Sequence, residues 1–448
     1  MVQSESVVPP RVRDLKELVN AARVGEEMFG FISDLYPLCR SITGEGVRQT
    51  LRHVSRHIPL EVREVPSGTP VLDWTVPNEW NIQDAYIKNS RGERVVDFQR
   101  SNLHVVSYSV PVHTRMSLAQ LRPHLFTLPD RPDWIPYRTS YYQETWGFCL
   151  SHAQLLSLEE GEYEVRIDSS LEPGHLTYGE ILLPGQRTEE VLISTHICHP
   201  SLANDNLSGL TVSTFLAKAL LGRELTYSYR FLFVPGTIGS IAWLALNEDR
   251  VHLIRHGLVA AGLGDPGPLT YKRSREGNAE IDRAVGTVLK HSGHPHQIID
   301  FSPYGYDERQ YCSPGFNLPV GVLSRTPYGH YPEYHTSADN LDFIRPSALA
   351  DSLLTYLSVA EVLEDNRTCL NTNPRGEPQL GRRGLYRPIG GAADPGTLQM
   401  AMLWVLNLSD GKHTLLDVSE RSGVPFQTVS EAARILARHN LLLKQDVS

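Results

Sequence analysis

Residues 189–221 read EEVLISTHICHPSLANDNLSGLTVSTFLAKALL, and the reading of this stretch decides the fold. Residues 189–196 form a near-continuous apolar run of strand length, the pattern of a strand covered on both faces of a parallel sheet. From Asn206 onward the apolar residues recur at helical spacing. The loop between strand and helix carries His196, His199 and Asp205. Strand, loop and helix in that order make half of a βαβ unit, and open α/β sheets hold their ligands in the loops at the carboxyl ends of the strands.

The same texture continues outward. YSYRFLFVPG (227–236), HGLVAAGL (256–263) and PVGVLS (319–324) read as strands. GSIAWLALNED (239–249), a segment at about 279–291 and a long one from Pro346 to about Asn366 read as helices. The alternation implies an α/β body with a central, mostly parallel sheet. Upstream, 11–60 reads as two helices, from Leu15, Leu18, Val19 and Ala22 and then from Val47, Leu51 and Val54 after the Gly44/Gly46 break. Short alternating runs punctuated by Pro and Gly fill 61–184, as in an antiparallel β module. Its aromatics (Trp74, Trp80, Tyr141, Tyr142, Trp146) are expected mainly in that module's core. The body is thus 11–60 plus 185–370, interrupted by a β-rich insertion at 61–184. A Pro/Gly/Arg linker spans 371–395, and 396–448 reads as three helices and a terminal strand. The turn SGVP before a helix with Ser430, Arg434 and Arg438 is the helix-turn-helix pattern with a wing.

Composition removes whole classes. The 448 residues are 41% hydrophobic and 21% charged, with 42 basic and 51 acidic side chains and a formal net charge of −9. Such a chain buries several cores, and its acidic balance argues against nucleic-acid binding over the whole surface. Mean hydropathy is −0.26, no apolar run approaches a membrane span, and the first twenty residues lack a signal-peptide core. Five scattered cysteines without a CxxC pair fit a reducing compartment, so a cytoplasmic location is expected.

Two further polar loops should reach the edge that bears His196. Tyr328–Asn340 contains His330, Glu333, Tyr334, His335 and Asp339, and 304–310 contains Tyr304, Tyr306, Asp307 and Glu308. Imidazole and carboxylate are the ligand types of a catalytic Zn²⁺, usually three from protein with water in the fourth place. Taken singly, each histidine reads better as a hydrogen-bonded or surface residue; three such loops on one rim favour a site. Asn206 and Ser208 also suit the start of the following helix.

On these motifs the sequence resembles the zinc aminopeptidase and glutaminyl cyclase superfamily. Within it, the closer resemblance is to the bacterial aminopeptidase-like proteins encoded near surface-polysaccharide and natural-product genes. HPSLANDNLSG and EYHTSADN carry the subgroup likeness. The resemblance implies the phosphorylase/hydrolase-type α/β fold of those enzymes, an inserted β-sandwich-like domain and a C-terminal winged helix. By position it implies His196, Asp205 and His335 as zinc ligands, and Asp307 as a hydrogen-bonding residue of the site. His199 is open to two roles, ligand or orienter of a ligand.

The departures are as informative. Where relatives carry Glu-Glu after the strand RFLFV, this chain has Thr237-Ile238, and Cys198 stands where they have the Asp of His-x-Asp. Asp265 is the nearest counterpart of a later aspartate ligand. One zinc is therefore expected rather than two. Zinc lowers the pKa of its water from about 15.7 towards about 7, and a general base must lie within reach. Glu308 and Glu333 are the candidates, Glu308 ahead; Tyr304, Tyr306 and Tyr334 rank low as oxyanion donors. The expected activity is hydrolysis of an amide or peptide bond in a peptide-like or aminoacylated metabolite, in polysaccharide or natural-product biosynthesis. A non-catalytic regulator or scaffold using the winged helix for DNA or protein contact, and an aminoacyl transferase on the same site, are the alternatives. Nucleic acid and membrane are not expected partners; the winged helix is expected to serve protein contact, including a homo-oligomer.

Overall fold

The structure, a computed structural model, describes residues 12, 15, 16, 19–385 and 396–444. The expectation for Leu18 lies outside them, as does the linker segment 386–395. An eight-stranded mixed sheet forms the body. In chain order its strands are β1 (Glu61–Pro66), β6 (His175–Leu183), β7 (Glu190–His196), β8 (Ser228–Val234), β9 (Ile254–Ala260), β10 (Leu269–Lys272), β11 (His296–Ile299) and β12 (Val320–Ser324). Their spatial order is β1-β6-β8-β7-β9-β12-β10-β11. The central run β8-β7-β9-β12 is parallel, while β1, β6 and β10 join antiparallel.

Helices cover both faces. α1 (Ala21–Leu35), α3 (Gly209–Leu220), α5 (Glu280–Lys290) and α7 (Pro346–Asp365) lie on one side, with α4 (Ile238–Leu246) on the other. The side chains of β8 show why both are needed: Tyr229, Phe231 and Phe233 enter one core, Leu232 and Val234 the other. That is the two-residue alternation of a strand with no solvent face. α2 (Glu45–Val54) packs beside β6, and the four-residue α6 (Glu308–Tyr311) precedes β12.

The insertion is narrower than 61–184. β1 and β6 belong to the main sheet, and Ser67 N–H to Gly174 O at 2.8 Å closes the neck between them. The insertion's own four-stranded antiparallel sheet has the order β3-β2-β5-β4, with β2 Glu79–Lys88, β3 Arg94–Asp97, β4 Val112–Ser117 and β5 Glu162–Glu172. Loops, short helices and two-stranded ribbons, rather than a second large sheet, make up the rest of it. Trp80 is in its core as expected, whereas Trp74 and Tyr142 are exposed and pack on each other at 5.5 Å.

The winged helix also begins earlier than 396. β13 (Thr368–Asn371) is the central strand of a small sheet with β14 (Asp410–Thr414) and β15 (Leu442–Lys444). Its helices are α8 (Thr397–Leu408), α9 (Leu415–Ser422) and α10 (Phe426–Arg438), and their core is continuous with that of the body. α10, the recognition-type helix, faces α7: Ser430 Oγ donates to Asp365 at 2.7 Å and Gln427 to Glu361 at 3.4 Å. Arg283 of α5 pairs with Asp417 and Glu420 of α9. No described helix is long and apolar enough to cross a membrane.

One buried ion network ties the antiparallel edge to the parallel centre. Arg230 on β8 grips Glu190 of β7 with two bonds, at 2.6 and 2.7 Å, and reaches Glu180 of β6 at 3.1 Å. Removing one partner from a buried pair leaves an uncompensated charge. Arg230→Met is therefore expected to lower the unfolding free energy by about 3–5 kcal/mol. Arg230→Met with Glu190→Leu should recover most of it in urea titrations.

Candidate metal centre

β7 is buried along its whole length and ends at His196, which pairs with Val234 of β8. The chain then turns through residues 197–208 into α3. Asn206 holds this turn. Its Nδ2 lies 2.9 Å from Thr195 Oγ1 and 3.1 Å from Ala260 O, and its Oδ1 accepts from the N–H of Gly209 and Gly262. Asn206 thus serves the helix start, while Ser208 Oγ donates to Asn204 O at 2.6 Å. Asp339 accepts the N–H groups of Asn204 and Asp205 at 2.6 and 2.9 Å. Burial pushes the Asp339 carboxyl up to about 8 despite those donors.

Asp205 is the hub. Its Oδ1 lies 2.8 Å from His196 Nε2, and its Oδ2 lies 2.9 Å from His335 Nε2 and 3.9 Å from His199 Nε2. Burial works to raise its carboxyl, but the imidazoles outweigh it and hold Asp205 well below the usual carboxylate range. Burial pushes the His199 imidazole down to about 3, against the pull of Asp205. His199 is therefore neutral at ordinary pH, the form a metal requires. Ligand atoms of His196, His199 and Asp205 all lie within 4.8 Å of one another, the one such group among the described residues. Three imidazoles converging on a buried carboxylate are a donor set suited to Zn²⁺.

Aromatic rings and an arginine fix these ligands. Tyr306 stacks on His196 at 4.9 Å and Tyr334 on His335 at 3.9 Å, while Tyr137 sets its edge against His199 and His335 at 5.2 and 5.1 Å. Tyr137 comes from the insertion, whose 135–137 segment clamps the His335 loop. Tyr137 N–H donates to His335 O and Ser337 N–H to Ile135 O, both at 2.8 Å. His335 has φ 56°, a left-handed conformation unusual for a non-glycine residue and stabilised here by that clamp. The buried Arg40 donates to His199 O at 2.8 Å and to Leu35 O at 2.7 Å. Neither Tyr137 nor Arg40 stands out in the sequence, because each acts across a long separation from an otherwise ordinary loop.

The other carboxylates separate by environment. Glu308 is fully buried and paired with Lys272 Nζ at 2.8 Å, so the leading candidate base is already neutralised by an ion pair. Glu333 is half-buried on the rim and shapes its turn through its backbone, its carbonyl accepting from Thr336 Oγ1 at 2.7 Å. Asp265 is no ligand: it holds Asn204, Thr326 and the N–H of Gly267. Asp307 takes the better place. A methyl at Gly236 would lie 3.1 Å from His196 Cβ and 3.6 Å from both Asp307 carboxylate oxygens, just before Thr237 and Ile238. Ser240 Oγ donates to its Oδ1 at 2.9 Å, and its buried Oδ2 has no partner among the described residues. Burial pushes Asp307 up to about 6, against the pull of His196 and Ser240. Cys198 Sγ lies 3.7 Å from both His199 Nδ1 and Gly236 O, and burial pushes its thiol up to about 12. It stays protonated and packs behind the loop.

Known proteins bear on this arrangement. A family model described as a domain of unknown function, DUF4910, matches residues 29–366, and a winged helix-turn-helix model matches 367–444. A Clostridium acetobutylicum protein named for polysaccharide biosynthesis and an aminopeptidase-like domain is 55% identical over 427 residues, covering 95% of this chain and 98% of its own. A crystal structure from the same organism, of a chain named as a peptidase, has 52% identity and a TM-score of 0.93, over 97% of this chain and all of that one. A zinc aminopeptidase from Bacillus subtilis shares the fold alone, with 11% identity and a TM-score of 0.56 over 76% of this chain and 94% of its own. The chain belongs to the DUF4910 family, an aminopeptidase-like α/β fold carrying a C-terminal winged helix.

Proposed function

We propose that the protein is a zinc-dependent amide hydrolase, acting on a peptide-like or aminoacylated metabolite in polysaccharide or natural-product biosynthesis. The convergence of His196, His199 and His335 on the buried Asp205 carries this reading. These four residues would hold the metal, and zinc, when bound, polarises a carbonyl and acidifies water. The protein's own part is to orient and to move protons. Asp307, beside His196 and without an ion-pair partner, is the general base in place of Glu308. Tyr137, Tyr306 and Tyr334 fix the imidazoles and limit water at their edges. The substrate is a small molecule, and the cytoplasm, where the five cysteines stay reduced, is the compartment.

A second reading has one observation in its favour: Thr237 and Ile238 stand where the resemblance to zinc aminopeptidases implies two carboxylates. The chain would then be a scaffold. Its recognition-type helix is turned toward α7, so the scaffold reading here means protein contact rather than DNA.

Metal analysis separates the two readings. Purified protein is expected to hold about one zinc per chain and to release p-nitroaniline from aminoacyl p-nitroanilides. His196→Ala and Asp205→Asn should each lose the zinc and at least about a hundredfold in kcat/KM. Zinc-free wild-type protein that folds and has no metal-restored activity would leave only the scaffold.

Asp307 gives a pH signature with a definite sign. Its folded value of about 6 lies above the ordinary 3.8, so the folded state favours the protonated form. The associated stability is present below about 4 and is lost as pH rises through about 6, by about 3 kcal/mol. Activity runs the other way, since only the ionised carboxylate accepts a proton. Asp307→Asn is expected to raise Tm at pH 8 while lowering kcat at least about a hundredfold. Wild-type kcat/KM should rise with pH as Asp307 ionises. A flat profile, or an active Asp307→Asn enzyme, contradicts the assignment.

A further inference from the structure

One cavity is lined by none of His196, His199, Asp205 and His335. It is a cleft of about 880 Å³ between the body and the insertion, within the size range of ligand sites. Its floor includes Ser201 and Ser337, and its walls come from α2 on one side and from β2 and residues 98–103 of the insertion on the other. Leu103, which lines the cleft, packs in a small buried cluster with Leu202 and with Tyr137, whose ring meets His199 and His335. Clefts where two modules meet are common places for ligands.

The chemistry of the cleft narrows the ligand. Half-buried Gln49 and exposed Gln83 project carboxamides that make no hydrogen bond among the described residues. Asn102 donates across the junction to Pro37 O at 3.3 Å, leaving its buried Oδ1 without a partner. The half-buried ring of Phe98 offers an apolar face beside them. Charge is scarce: Glu45 is tied to Arg48 and Arg52, and Arg100 comes no closer than 4.0 Å to Asp97. A nucleic acid requires a dense cationic face, which this lining lacks. An added peptide strand requires a free sheet edge, but β2 is paired on both sides, by β3 and β5. Uncharged amides, hydroxyls and the half-buried rings of Phe98 and Tyr36 complement a ligand with many hydroxyls, little charge and flat apolar ring faces.

We infer that this cleft binds a short oligosaccharide, through Gln49, Gln83 and Asn102 with a sugar ring set against Phe98. The site shares no ligand atom with the metal centre, and the inference stands whether or not the protein is a hydrolase.

The test places the full chain on an array of defined oligosaccharides of hexose and N-acetylhexosamine units, followed by calorimetry on the glycans retained. Gln49→Ala with Gln83→Ala, and separately Phe98→Ala, should each weaken the retained glycans by about tenfold or more. Tm should stay within about 2 °C of wild type, because these side chains are partly exposed. Asp205→Asn should bind glycan as wild type does, which separates this site from the proposed hydrolytic one. Retention of no glycan, or equal retention by the cleft variants, overturns the inference.

Discussion

A single buried carboxylate organises the centre of this protein. Asp205 is fully enclosed, yet three imidazoles approach it from three directions. Burying an ionised carboxylate is costly unless partners surround it, so the fold must deliver those partners accurately. Much of the nearby architecture serves that need. Asp339 holds the backbone of Asn204 and Asp205, Asn206 ties the helix start to β7 and β9, and Arg40 anchors the carbonyl of His199.

The modules around the α/β body are integrated with it. The insertion supplies Tyr137 and the strand-like clamp on the His335 loop, so it forms part of the wall of the centre. The winged helix shares the body's core and turns its recognition-type helix toward α7. The same α7 follows the loop that carries His335 and Asp339, which places the winged helix at the far end of an element rooted beside the site.

Thr237 and Ile238 follow Gly236 beside His196, and the carboxylate found there, Asp307, comes from a different loop. Burial holds that carboxyl near 6, within the range where a base is both ionisable and basic. Glu308, one residue further on, faces Lys272 and is spent on an ion pair. Adjacent carboxylates in one short loop thus have opposite fates, decided by what each side chain meets.

The sequence by itself determined the α/β body, the presence of an inserted β module, the winged helix and the loop holding His196, His199 and Asp205. Those features are local: hydrophobic period and loop position are properties of neighbouring residues. The edges of the insertion were not legible, since β1 and β6 read as strands but not as strands of the larger sheet. Only the tertiary structure decided that His335 meets an aspartate 130 positions earlier, that Glu308 but not Asp307 forms an ion pair with Lys272, and that Arg40 and Tyr137 support the histidines. The reason is that ionisation and orientation depend on what packs against a group, and here those neighbours are brought together from distant parts of the chain by the sheet and the insertion.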